Sequence, residues 1–165
     1  MTCDDAGKSP KKPESVWDYP RPPALEPSAE EVAVTFAGQQ IAATERSYRV
    51  LETSHPPTYY LPAAAFVPGV LRPVERRTFC EWKGVAAYFD IVVGERIDVA
   101  GAWTYPDPVA AYAALAGHVA LYPARMDACT VDGEQVQAQD GDFYGGWITS
   151  RVVGPFKGAP GTRGW

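Results

Sequence analysis

The stretch VAAYFDIVVGERIDVAGAW, Val85 to Trp103, sets the fold class. Its first half alternates Ala87, Phe89, Ile91 and Val93 with Tyr88, Asp90 and Val92. Successive side chains of a strand point to opposite faces, so this period of two reads as a half-buried β-strand. RIDVAGAW follows across Gly94-Glu95, and a two-residue link between such runs is a tight antiparallel hairpin. Working outward, VAVTF (Val32 to Phe36), Gly38 and IAAT form a second strand–turn–strand signal. SYRVLET sets Tyr48 and Val50 against Arg49 and Leu51, a weaker strand, and CTVDGEQV holds Asp-Gly between short apolar pieces. The chain reads as mostly β.

One segment departs from that pattern. Asp107-Pro108 supplies an N-cap and first-turn pair, and VAAYAALAGHVALY is rich in the helix formers Ala and Leu. Tyr112, Leu115, Ala116, Val119 and Tyr122 share a stripe on a 3.6-residue wheel before Pro123. These residues predict one main helix over about 108–122. The expected fold is therefore an α+β, mostly β single domain: an antiparallel curled sheet or barrel-like body covered by that helix.

The chain has 165 residues, enough to bury a sizeable core without staples. Residues 1–12 are polar and charged, the composition of a disordered N-terminus. Residues 13–28 are proline-rich yet carry Trp17 and Tyr19, which predicts an extended strap docked by its rings. The core domain is expected over 29–138. Residues 139–165 combine glycines with Phe143, Tyr144, Trp147, Phe156 and Trp165, and read as an ordered C-terminal extension.

Three widely spaced cysteines (Cys3, Cys80, Cys129) give no CxxC pair, hence neither a disulfide framework nor a zinc site. Free thiols, an N-terminus without an apolar core and the lack of any long apolar run point to the cytoplasm and to no membrane partner. A net charge of −5 argues against nucleic acid as a partner.

The densest chemistry lies in Cys80-Glu81-Trp82-Lys83. A cysteine nucleophile needs a base, and the sequence offers only His55 and His118, so Cys80, His55 and His118 are the catalytic candidates. No short-range ligand pair supports a metal, and no motif calls for a cofactor. Tyr and Trp combine apolar area with a polar tip, which suits a small-molecule pocket. His55, Tyr60, Trp82, Lys83, Trp103 and Tyr105 are the candidate ligand-binding set. Strict alternation would put Cys80 with Trp82 on one face and Glu81 with Lys83 on the other.

YRVLETSHPPTYYLP, RRTFCEWKGVAAYFDI, AWTYPDP, GHVALYPARMDA and GGWITSRVVGPFKGAPGTRGW, in this order, resemble the bacterial family called domain of unknown function 427 (DUF427). The resemblance runs from about Val32 to the C-terminus, and ESVWDYPRPP is similar to the N-terminal extension of the longer members. It implies a compact, mostly antiparallel β domain with one main helix, and no established reaction. The family also carries a nucleotidyltransferase-like label, which would require a Gly-Ser turn followed by paired carboxylates for Mg²⁺. Here Asp140 and Asp142 are so spaced, but without the Gly-Ser element. The reading is an uncharacterised protein binding an unknown small molecule. The alternatives are an enzyme using Cys80 with a histidine, or an interaction module, including a homodimer, built on the Trp-bearing extensions.

Overall fold

The computed structural model describes residues 12–141 and 144–165. The disorder expected over residues 1–12 therefore falls, apart from Lys12, outside the described residues, as do Asp142 and Phe143. The proline-rich segment contributes strands β1 (Glu14–Ser15) and β2 (Ala24–Ser28). Next come β3 (Val32–Phe36) and β4 (Gln39–Thr44), joined by Ala37 at φ 52° and Gly38 at φ 76°. Two consecutive positive φ values are the backbone of a tight type I′ hairpin, which matches the twist of the flanking strands. β5 (Ser47–Leu51) and β6 (Thr58–Pro62) follow. The long meander β7 (Leu71–Cys80), β8 (Gly84–Val93) and β9 (Arg96–Thr104) contains the hairpin read at Gly94-Glu95. β10 (His118–Leu121), β11 (Ala128–Val131) and β12 (Glu134–Gln135) close the two main sheets. The C-terminal segment adds the short strands β13 (Gln137–Ala138), β14 (Trp147–Ile148) and β15 (Val152–Val153).

The larger sheet has the order β2-β5-β6-β10-β9-β8-β7 and the smaller β12-β11-β3-β4, with antiparallel neighbours throughout both. They share one core. Val32, Val34, Phe36 and Ile41 of the smaller sheet pack with Tyr59, Leu61, Ile91, Ala102, Val119 and Leu121 of the larger. The body is mostly β, as expected, but its sheets remain open and do not close into a barrel.

The predicted main helix over 108–122 is a correction. Ala110–Leu115 is a 3-10 segment interrupted at Tyr112 (φ −118°, ψ 22°), its cap is Val109 and not Asp107, and Gly117 at φ 75° turns the chain into β10. Helix propensity differs by only a few tenths of a kcal/mol per residue between these side chains. Placing Val119, Ala120 and Leu121 between β6 and β9 buries all three and fills the middle of the sheet, which outweighs it.

The segments around Glu14–Asp18 and Val152–Phe156 lie against one another beside the core. β1 pairs in parallel with β15, and Trp17 donates its indole N–H to Pro155 O at 2.8 Å. Beneath them sits a charge network. Arg49, fully buried, meets Glu14 at 3.0 Å and Glu26 at 2.8 Å, while Arg151 meets Glu30 at 2.5 Å and Glu14 at 3.1 Å. Tyr19 and Tyr59 donate their hydroxyls to Glu14 (2.6 Å) and Glu30 (2.9 Å). These bonds tie strap, core strand and extension together.

Candidate functional site

The face of the large sheet turned away from the shared core is aromatic. Residues directly opposite each other on neighbouring strands share a face. Tyr48 stands opposite Tyr60, Ala120 opposite Trp103, Trp103 opposite Tyr88, and Tyr88 opposite Val74. Tyr105, two residues beyond Trp103, joins the same face. Tyr60, Ala86, Tyr105, Tyr112 and Leu115 form a second buried cluster, with Tyr48, Cys80, Trp82, Tyr88 and Trp103 packed around it. The 3-10 segment lies over it as a cover, and the Tyr112 hydroxyl donates to Pro23 O at 2.7 Å.

β7 ends at Cys80 and β8 begins at Gly84, so Glu81-Trp82-Lys83 is the tip of a hairpin. Gly84 sits at φ 113°, a conformation that side-chain-bearing residues rarely adopt. The turn cancels the expected alternation. Cys80, Trp82 and Lys83 all join the cluster, and only Glu81 is left exposed. Lys83 is 9% exposed. Its Nζ lies 3.5 Å from Cys80 Sγ, 5.7 Å from the centre of the Tyr105 ring and 6.0 Å from that of Tyr112. No carboxylate lies within ion-pair distance of it among the described residues.

Polar tips are linked along the cluster. Trp103 Nε1 donates to Tyr60 Oη at 3.1 Å. Burial pushes the Tyr60 phenol well above its ordinary range, and the Trp103 and Tyr105 contacts only partly oppose this. Burial does the same to Tyr105, reinforced by Tyr60 and Cys80 beside it. Both phenols are thus held as neutral donors at physiological pH. At the rim, Arg76 stacks on Tyr88 at 4.9 Å and Arg125 on Tyr122 at 4.4 Å, with Trp103 4.7 Å from Tyr122.

Of the residues singled out by sequence, Tyr60, Trp82, Lys83, Trp103 and Tyr105 are brought together, and Cys80 with them. His55 is elsewhere: its Nδ1 contacts Thr53 O at 3.0 Å, and its ring lies against Tyr144. His118 reaches the margin through Tyr48, ring centres 5.1 Å apart, and its Nδ1 contacts Ala116 O. Neither ring is in contact with Cys80, whose polar neighbours are Lys83 and Tyr105. Tyr48, Tyr88 and Tyr112 read from the sequence as strand or helix positions and not as site residues. The position of Tyr88 opposite Phe89 in the alternation was the available signal for it.

An apolar groove of about 340 Å³ borders the aromatic face through Tyr88 and Val74 and is further lined by Ala63, Pro73, Ala87, Phe89, Pro106 and Val119. It includes none of the five clustered ligand-binding candidates, and Arg77 is its single charged residue. The aromatic face, with its buried cation, has the chemistry to orient a polar ligand.

Fold and site together define an open, two-sheet antiparallel β domain with an aromatic, lysine-bearing outer face. Among the described residues no helix is long and apolar enough to cross a membrane. The model of the family described as Domain of unknown function (DUF427) matches residues 24–132, and the chain belongs to that family. The match spans both main sheets up to β11 and ends before the C-terminal extension. No curated protein matches the chain.

Proposed function

We propose that this protein is a cytoplasmic small-molecule-binding domain whose ligand joins a flat apolar part to an anionic group. The observation that carries the reading is Lys83, a buried ammonium with no carboxylate within ion-pair distance among the described residues. Taking a cation out of water costs several kcal/mol. A thiol contact and two ring faces, each ring worth about 0.5–2 kcal/mol, do not offset that. An anion on Nζ would, while Trp82, Trp103 and Tyr105 supply the apolar walls. The free thiols Cys80 and Cys129 support the cytoplasmic location.

A thermal-shift screen of aromatic carboxylates and nucleotides tests this. A compound at 100 times its Kd adds about 2.7 kcal/mol of stability. The gain should vanish in Lys83→Met and shrink in Trp103→Ala. Stabilisation that survives Lys83→Met refutes the assignment of the anion site, and absence of any hit across the panel refutes the ligand class.

A further inference from the structure

Cys80 and Lys83 face each other across the hairpin tip, Sγ to Nζ 3.5 Å. Cys80 is partly exposed, so a small oxidant reaches it. Lys83 is 9% exposed and, among the described residues, has no carboxylate to hold its ammonium elsewhere. A buried amine kept against a reachable thiol is placed to trap the oxidised form of that thiol. We propose that Cys80 and Lys83 form a reversible sulfur–nitrogen cross-link in response to hydrogen peroxide.

Two balanced steps suffice. The Cys80 sulfur attacks one peroxide oxygen, so an S–O bond forms and the O–O bond breaks. The thiol proton leaves with the departing oxygen as water, sulfur loses two electrons and the peroxide gains them. The Lys83 ammonium first gives one proton to solvent, and the lone pair so freed on Nζ attacks the sulfenic sulfur: the S–N bond forms, the S–O bond breaks, and the hydroxyl leaves as water with a second proton from the nitrogen. No further oxidant is needed. Two equivalents of a small thiol reverse the bridge, freeing the amine first and the Cys80 thiol second, and leave as a disulfide.

The other described cysteine is an internal control. Cys129 is 2% exposed, and burial pushes its thiol up to about 12, so it stays unreactive. Forming the bridge removes the Lys83 charge, so oxidation would also release an anionic ligand. That last consequence rests on the proposed function, whereas the bridge itself does not.

The test is peroxide treatment of the full chain carrying Cys3→Ser, followed by intact mass and tryptic mapping. The expected product has lost two hydrogens, resists trypsin at Lys83, yields a peptide joining Cys80 to Lys83, and reverts with dithiothreitol. Cys80→Ser and Lys83→Arg should not form it, and circular dichroism checks that both fold. If Lys83→Arg does not fold, the mapped wild-type peptide still decides. Sulfinic or sulfonic acid on Cys80 with Lys83 still cleaved, or an unmodified Cys80, overturns the proposal. Ligand binding is measured separately, so either idea can fail alone.

Discussion

Asp90 Oδ1 accepts the Ala100 N–H at 2.8 Å, where the pairing of β8 with β9 slips register. Val93 faces Arg96 and Ile91 faces Asp98, but Phe89 faces Ala102. Continuing the first register would set Tyr88 against Gly101; the shift sets it against Trp103. Ala100 takes φ 51° there. The aromatic face therefore depends on an irregularity that one carboxylate helps to hold, supported from the other side by Arg72 at 3.0 Å.

Removing that carboxylate should loosen the face. Asp90→Ala leaves the Ala100 N–H without its acceptor, at a cost of about 1–3 kcal/mol. Asp90→Asn, which keeps an acceptor, should cost less. Urea denaturation ranks the two, and near-ultraviolet circular dichroism should show the Trp103 environment changing only in the alanine variant. Equal losses would mean that the register is fixed elsewhere.

The charge network predicts non-additive stability. Arg151→Met strips Glu30, 4% exposed, of its 2.5 Å partner. Leaving a buried charge uncompensated costs about 3–5 kcal/mol. Combining it with Glu30→Leu should cost less than the two single changes added together. A denaturation double-mutant cycle measures the difference, and strict additivity would show the two groups to be independent.

His55 confers a pH dependence. Burial lowers its pKa below the ordinary 6.5, with Glu52 opposing. The unfolded chain thus takes up the proton at higher pH than the folded one. Stability is complete above about 6.5 and falls as pH drops from there towards the lower folded value. His55→Gln should flatten the difference in urea midpoint between about pH 7.5 and about pH 5.5. An unchanged difference would assign the dependence to other groups.

The extension is packed too closely for a methyl group at Gly146. A Cβ there would lie 2.5 Å from Pro56 Cγ and 3.0 Å from Pro56 O, whereas one at Gly164 meets nothing within 4 Å. Overpacking of this kind costs about 1–3 kcal/mol. Gly146→Ala should lower the melting temperature, and Gly164→Ala should leave it close to wild type. A harmless Gly146→Ala would indicate that this segment does not pack tightly in solution.

Much of the large sheet was legible because the first half of Val85 to Trp103 alternates and the turn at Gly94-Glu95 is unambiguous. The helix reading over 108–122 failed because local preference among Ala, Leu and Tyr is weak, while β10 is held between β9 and β6, the latter far away in sequence. Among site residues, Trp82 and Lys83 were recognisable by type, but their meeting was not. Alternation separates them, and only the tip formed between Cys80 and Gly84 brings both inward. Tyr112 was assigned to a helical stripe and instead covers the cluster from a 3-10 turn.

The parallel pairing of Glu14 with Val152 and Ser15 with Val153 orders events during synthesis. The strand that receives residues 14–15 leaves the ribosome only after both main sheets have been made. Until then the indole of Trp17 lacks Pro155 as its acceptor, 138 residues away, and the Trp165 ring now 5.3 Å from it. Loop-closure entropy rises slowly with length, so this long connection takes little from final stability. Its effect is on timing: β1 stays without its partner strand until residues 152–153 have been made.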